Sequence, residues 1–98
     1  QLAKAAYAAL AREDTDAVFA VYFEALGLAA AGVQPFREVA VALVDGWVGW
    51  LSGFFSGTAR HRRAQAEATL ALIDGVLLMR QVGGPQAADR AAKALDLL

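Results

Sequence analysis

Residues Ala66–Gly84 read AEATLALIDGVLLMRQVGG and form the longest strongly periodic run in the chain. Ala66, Leu70, Ile73 and Leu77 recur at i, i+4, i+7 and i+11, which places them on one face of a helix. Leu72, Val76 and Met79, with Thr69 in step, make a second apolar line roughly opposite the first. A helix on the surface of a monomer needs one apolar face and keeps the other polar. A helix apolar along two lines is central in a larger core or shared with a second chain. The distribution of residue types favours sharing. The large aromatics come earlier in the chain, whereas Ala66–Leu98 carries mainly small and aliphatic side chains.

Gly83-Gly84-Pro85 ends this run and starts a last helix over Gln86–Leu98, with glycine past one end and proline just inside the next beginning. Ala88, Ala91, Ala92, Leu95 and Leu98 give that helix a narrow small-residue face. Upstream, Phe36, Val39, Leu43, Trp47, Trp50 and Phe54 fall at spacings of 3, 4, 4, 3 and 4. They form one aromatic and aliphatic face of a helix predicted from Pro35 to about Ser56–Ala59. Gly46, Gly49, Gly53 and Gly57 lie on a neighbouring face, and each costs up to ~1 kcal/mol of helix stability relative to alanine. That cost favours a bend or an early end. Thr58 or Ser56 is placed to cap the next helix, which begins within Arg60–Ala64.

Asp16–Ala31 reads as another helix, with Gly32 at the C-cap position. Gln1–Arg12 reads as the end of a helix, and Glu13-Asp14-Thr15-Asp16 breaks it and offers N-caps. No strand-like alternation or internal repeat occurs. The expectation is an all-α bundle of about five helices forming one domain over residues 1–98.

Net charge is −1 and no cysteine is present, so there is neither a global basic footprint for nucleic acid nor thiol or disulfide chemistry. Val39–Ala59 has the length of a membrane span and is followed by Arg60-His61-Arg62-Arg63. Asp45 within it would cost ~3 kcal/mol in a bilayer, and the glycines dilute its apolar content. A buried or partner-facing helix is expected, with no membrane partner and a cytoplasmic location.

Catalysis needs a nucleophile with a base, paired carboxylates or metal ligands. The single histidine, His61, sits in RHRR without an acidic residue at i±3 or i±4, which predicts a solvated side chain, no metal, no cofactor and no enzyme. Asp45 and Asp74 are carboxylates embedded in apolar runs. The aromatics offer the best lead to a ligand. Tyr7, Phe19, Tyr22, Phe23, Trp47, Trp50 and Phe54 either fill a plain core or, with Asp45 as a polar group, line an apolar pocket.

Ala68–Met79, ATLALIDGVLLM, resembles the penultimate helix of the C-terminal regulatory domain of tetracycline-repressor (TetR) family transcription regulators. The matching residues are Ala68, Thr69, Leu70, Leu72, Ile73, Asp74, Gly75, Val76 and Leu78, followed by Gly83-Gly84-Pro85 and the last helix. Val18–Ala31 is similar to an earlier aromatic-rich helix of that family. The resemblance implies that the last two helices form a four-helix interface in a homodimer. Ala66, Thr69, Leu70, Ile73, Gly75, Val76, Leu77, Ala88, Ala91, Ala92 and Leu95 would lie in it. It implies a small-molecule effector, apolar or aromatic, held by the earlier helices. It also implies contact with DNA only through an N-terminal helix-turn-helix domain, which is absent from this sequence. Effector binding would then favour a dimer form mis-spaced for successive major grooves. The competing expectation is a helical interaction module with a filled core and no ligand.

Overall fold

A computed structural model describes all residues, 1–98. The chain is all-α: α1 (Leu2–Leu10), a 3-10 turn (Glu13–Thr15), α2 (Asp16–Ala30), α3 (Phe36–Ser52), α4 (Ala59–Gly83) and α5 (Pro85–Ala94). No helix is long and apolar enough to cross a membrane.

Side chains close the helix ends where the sequence offers them. Gln1 accepts from the Lys4 backbone N–H at 2.9 Å. The Thr15 hydroxyl donates to the Leu10 and Arg12 carbonyls at 2.6 and 2.9 Å. It therefore satisfies carbonyls left open after α1 rather than capping α2. Thr58 caps α4, its Oγ1 accepting from the His61 N–H at 3.1 Å. Gly32, at φ +81°, ends α2 in a Schellman turn, with Gly32 N–H bonded to Ala29 O and Val33 N–H to Leu28 O.

The same turn ends α5, but with Asp96 in the left-handed position at φ +57°. Asp96 N–H reaches Lys93 O, and Leu97 N–H reaches Ala92 O at 2.8 Å. A left-handed conformation costs an L-residue roughly 1–2 kcal/mol that glycine avoids. Asp96→Gly is therefore expected to stabilise the fold by about 0.5–1 kcal/mol, read as a higher urea midpoint. An unchanged or lower midpoint would show that the aspartate side chain offsets the strain.

Helix α3 stops at Ser52, short of the predicted Ser56–Ala59. Ser52 Oγ donates back to the Gly49 carbonyl at 2.7 Å, and Gly53 follows. Glycines within the helix and a competing side-chain bond at its end shorten it. The α4–α5 link is a single residue, Gly84, at φ +87°, with Pro85 opening α5. A Cβ on Gly83 would lie 2.9 Å from the Ala87 Cβ, so this corner admits no larger residue there without movement.

The chain forms two compact units, one comprising residues 1–20 and 71–98, the other residues 21–70. The first unit has a core of Tyr7, Ile73, Val76, Leu77 and Leu97 with Ala3, Ala88 and Ala92. The second buries far less: Val48 and Leu51 with Ala29, Ala40 and Ala66. Its larger apolar residues lie mostly outside.

Candidate functional site

In the first unit the predicted apolar line Ile73–Leu77 faces inward, and both residues are buried. Arg80 continues that line three residues after Leu77, and a charge on a buried stripe demands a partner. It has one: Nε and Nη2 donate to the two Asp16 carboxylate oxygens at 2.7 and 3.0 Å. Gln81 donates to the Asp16 carbonyl at 2.8 Å. A planar fork on one carboxylate is the most directional ion pair available to a protein, and it fixes the start of α2 against α4. The guanidinium holds the Asp16 carboxyl below its usual range. That contribution is present above pH 3.8 and disappears as the pH falls through the lowered value.

Tyr7 is buried, and its hydroxyl donates to Asp89 Oδ1 at 2.6 Å. This ties α1 to α5. Burial, then the Asp89 hydrogen bond and charge, push the phenol up to about 12, partly offset by Arg80. The neutral phenol is the form that the fold favours. Its contribution is complete below pH 10.0 and is lost as the pH climbs toward about 12. Tyr7→Phe is expected to destabilise by about 1 kcal/mol at neutral pH and to flatten the alkaline limb of the stability profile. A profile identical to wild type above pH 10.0 would remove this assignment. Tyr7, expected in a ligand pocket, is thus held by a carboxylate on α5. Arg80, a charge on the buried line of α4, is the readable signal for the Asp16 pair; the Tyr7–Asp89 bond carries none in the sequence.

The other side of α4 differs. Ala71, Gly75, Leu78 and Val82 are spaced 4, 3 and 4 residues apart and all are exposed, Val82 at 82%. A Cβ on Gly75 would meet nothing within 4 Å. Of the residues expected at a dimer interface, Ala66, Ile73, Val76, Leu77, Ala88 and Ala92 are buried within the chain itself. Thr69, Leu70 and Ala91 are half-buried, while Gly75 and Leu95 are exposed. The second apolar line splits, since Val76 turns inward and Met79 outward. At about 100° per residue, Leu72, Val76 and Met79 lie roughly 120° round the helix from the first line, with Val76 nearest to it. Ala71, Gly75, Leu78 and Val82 lie roughly 140° round in the other direction and make a third, exposed line.

In the second unit α3 buries Ala40, Val48 and Leu51 and turns its aromatic face outward. Phe36, Val39, Leu43, Trp47, Trp50 and Phe54 are all exposed, Trp50 at 59%. Trp47 and Trp50 meet edge to face with centroids 5.9 Å apart, as do Trp50 and Phe54 at 5.1 Å. Beside them a shallow apolar groove runs over Ala42, Leu43, Gly46, Trp47 and Trp50. A second shallow groove is lined by Ala29, Ala30, Ala40, Val41 and Val44, with Arg37 and Asp45 as its charged members. Asp45 accepts from Arg63 at 2.8 Å, and both side chains are more than half exposed, so the pair adds little stability. Tyr22 and Phe23 are half-buried and stack edge to face at 5.2 Å. Phe19 is half-buried and belongs, like Tyr7, to the first unit.

His61 is exposed and packs beside Gly57. No group of three His, Cys, Asp or Glu side chains is placed to hold a metal ion. Comparison with protein-family models, curated proteins and solved structures finds no match to this chain.

Proposed function

We propose that this chain is the dimerisation and effector-binding domain of a transcription regulator of the tetracycline-repressor type, joined to its twin through α4 and α5. One observation carries the reading: the line Ala71, Gly75, Leu78 and Val82 is apolar or small at seam spacing, and each of its members is exposed. An exposed row of this kind along a helix is what a second helix packs against. Glycine at its centre allows close approach, and Leu95 and Leu98 on the following segment add exposed apolar surface.

The chain has no cysteine, so a single Gly75→Cys reports directly on this seam. Mild oxidation is expected to link two chains through residue 75, whereas a cysteine at exposed Glu24 stays unlinked. Equal linking of both variants would contradict the seam.

The effector half of the proposal rests on the groove containing Arg37 and Asp45. Its apolar floor of Ala40, Val41 and Val44 suits a small apolar or aromatic molecule, and the two charges would orient a polar substituent. Thermal-shift titration with small aromatic acids and amines is expected to raise the melting temperature. No shift from either class would remove the effector half and leave the dimer half standing. In the intact regulator, DNA contact would belong to an N-terminal helix-turn-helix domain, and effector binding would act by altering the geometry of the dimer.

A further inference from the structure

The second unit leaves its largest side chains in water. Its core is two aliphatic side chains and three alanines, while Val39, Trp50 and Phe54 are each more than half exposed. A row of five apolar residues on α3 with Phe54 just past its end, on the order of 600 Å² if each exposes roughly half of the area typical of its type, reaches the upper limit of what a monomer normally shows.

The shape of the row narrows what can cover it. Trp47, Trp50 and Phe54 stack edge to face into a continuous ridge. Such rings lose little freedom on binding, and tryptophan is the residue type most enriched at the energetic centres of interfaces. Ala42, Gly46 and Gly49 run alongside, and a Cβ at either glycine would meet nothing within 4 Å. At about 100° per residue this small-residue row lies roughly a quarter turn from the ridge. Ridge and furrow therefore sit side by side on one face. A two-fold axis parallel to α3 puts the ridge of each copy into the furrow of the other, the self-complementarity that an isologous interface requires.

Charge agrees with a second copy. From Val39 to Ala59 the sole charged residue is Asp45, which is held by Arg63. Neither copy would bring an unpaired charge to the seam. Two faces of this size bury on the order of 1,200 Å² in total, the lower bound for a stable specific interface.

We propose that the outward face of α3 is a second homotypic interface, in which Trp47, Trp50 and Phe54 of one copy seat in the Ala42–Gly46–Gly49 furrow of another, α3 lying parallel to α3. It lies on α3 rather than on α4, so a chain that meets a different partner through each interface assembles as at least four copies.

Molecular mass by light scattering on the full chain separates the two. Wild type is expected at four chains or more, Trp50→Glu and Gly75→Leu each at two, and the double variant at one. If Gly75→Leu keeps the wild-type mass while Trp50→Glu lowers it, the α4 seam fails and the α3 face stands. If Trp50→Glu changes nothing in the Gly75→Leu background, the α3 face fails. Gly46→Cys guards against a folding defect in Trp50→Glu. It is expected to form a disulfide-linked pair on oxidation at least ten times faster than Glu24→Cys, and equal rates overturn the proposal. Both tryptophans of the chain lie on this face, so dilution should shift their emission to the red as copies separate. A chain that stays single and co-sediments with anionic vesicles would assign the face to lipid and likewise overturn it.

Discussion

Leu77→Ala is expected to lower the unfolding free energy by about 3 kcal/mol. Leu77 is 2% exposed and, with Val48, is the bulkiest fully buried side chain. Removing three carbons there costs the transfer energy of the lost atoms plus a cavity term, because neighbours relax only partly. The first unit has little reserve, since alanines make up much of the remainder of its core. For a domain of this size, each 1 kcal/mol lowers the melting temperature by roughly 4–8 °C, so a fall of about 12–24 °C is expected. Leu78→Ala, one residue along and exposed, should change the stability of the isolated chain by less than about 0.5 kcal/mol. Urea denaturation of both variants, at a concentration low enough to keep copies apart, decides the point. Equal losses at 77 and 78 would mean that the inward face of α4 has been misassigned.

Gly75→Leu is expected to move two quantities in opposite directions. In the isolated chain the position is open, so leucine fits without displacement. Replacing glycine inside a helix also gains up to ~1 kcal/mol of intrinsic helix stability. Across the proposed seam the added side chain occupies the space that a partner helix needs. Overpacking of that kind costs about 1–3 kcal/mol, or roughly a 5- to 150-fold weaker association. The variant should therefore resist urea at least as well as wild type at low concentration while associating less. Loss of folding stability together with association would point to a role for Gly75 inside the chain.

Helix positions were legible in the residues where their causes are local, although α3 ends at Ser52 rather than Ser56–Ala59 and α5 at Ala94 rather than Leu98. Gly32 ends α2 in the left-handed conformation that glycine tolerates, Thr58 caps α4, and Pro85 opens α5. The direction each apolar stripe faces was not legible. Periodicity says that Phe36, Val39, Leu43, Trp47, Trp50 and Phe54 share a face, and hydrophobicity says that the face avoids water. Neither says whether its cover comes from the same chain. The structure buries the less conspicuous edge through Ala40, Val48 and Leu51 instead. On α4 a similar ambiguity was resolved by a residue that is not apolar. Arg80 marks the inward line because its carboxylate partner, Asp16, lies in the same unit. The Tyr7–Asp89 bond links positions 82 residues apart, a pairing that depends on tertiary packing and has no local signature.

The central claim is that the outward line of α4 meets a second copy of the chain. Its most direct test is the mass of wild type and Gly75→Leu by light scattering, side by side at the same micromolar concentration. One chain weighs 10.3 kDa. The expected result is a wild-type mass that is an even multiple of this value and a Gly75→Leu mass half as large. A single-chain mass for wild type, or an equal mass for the two, would contradict the claim.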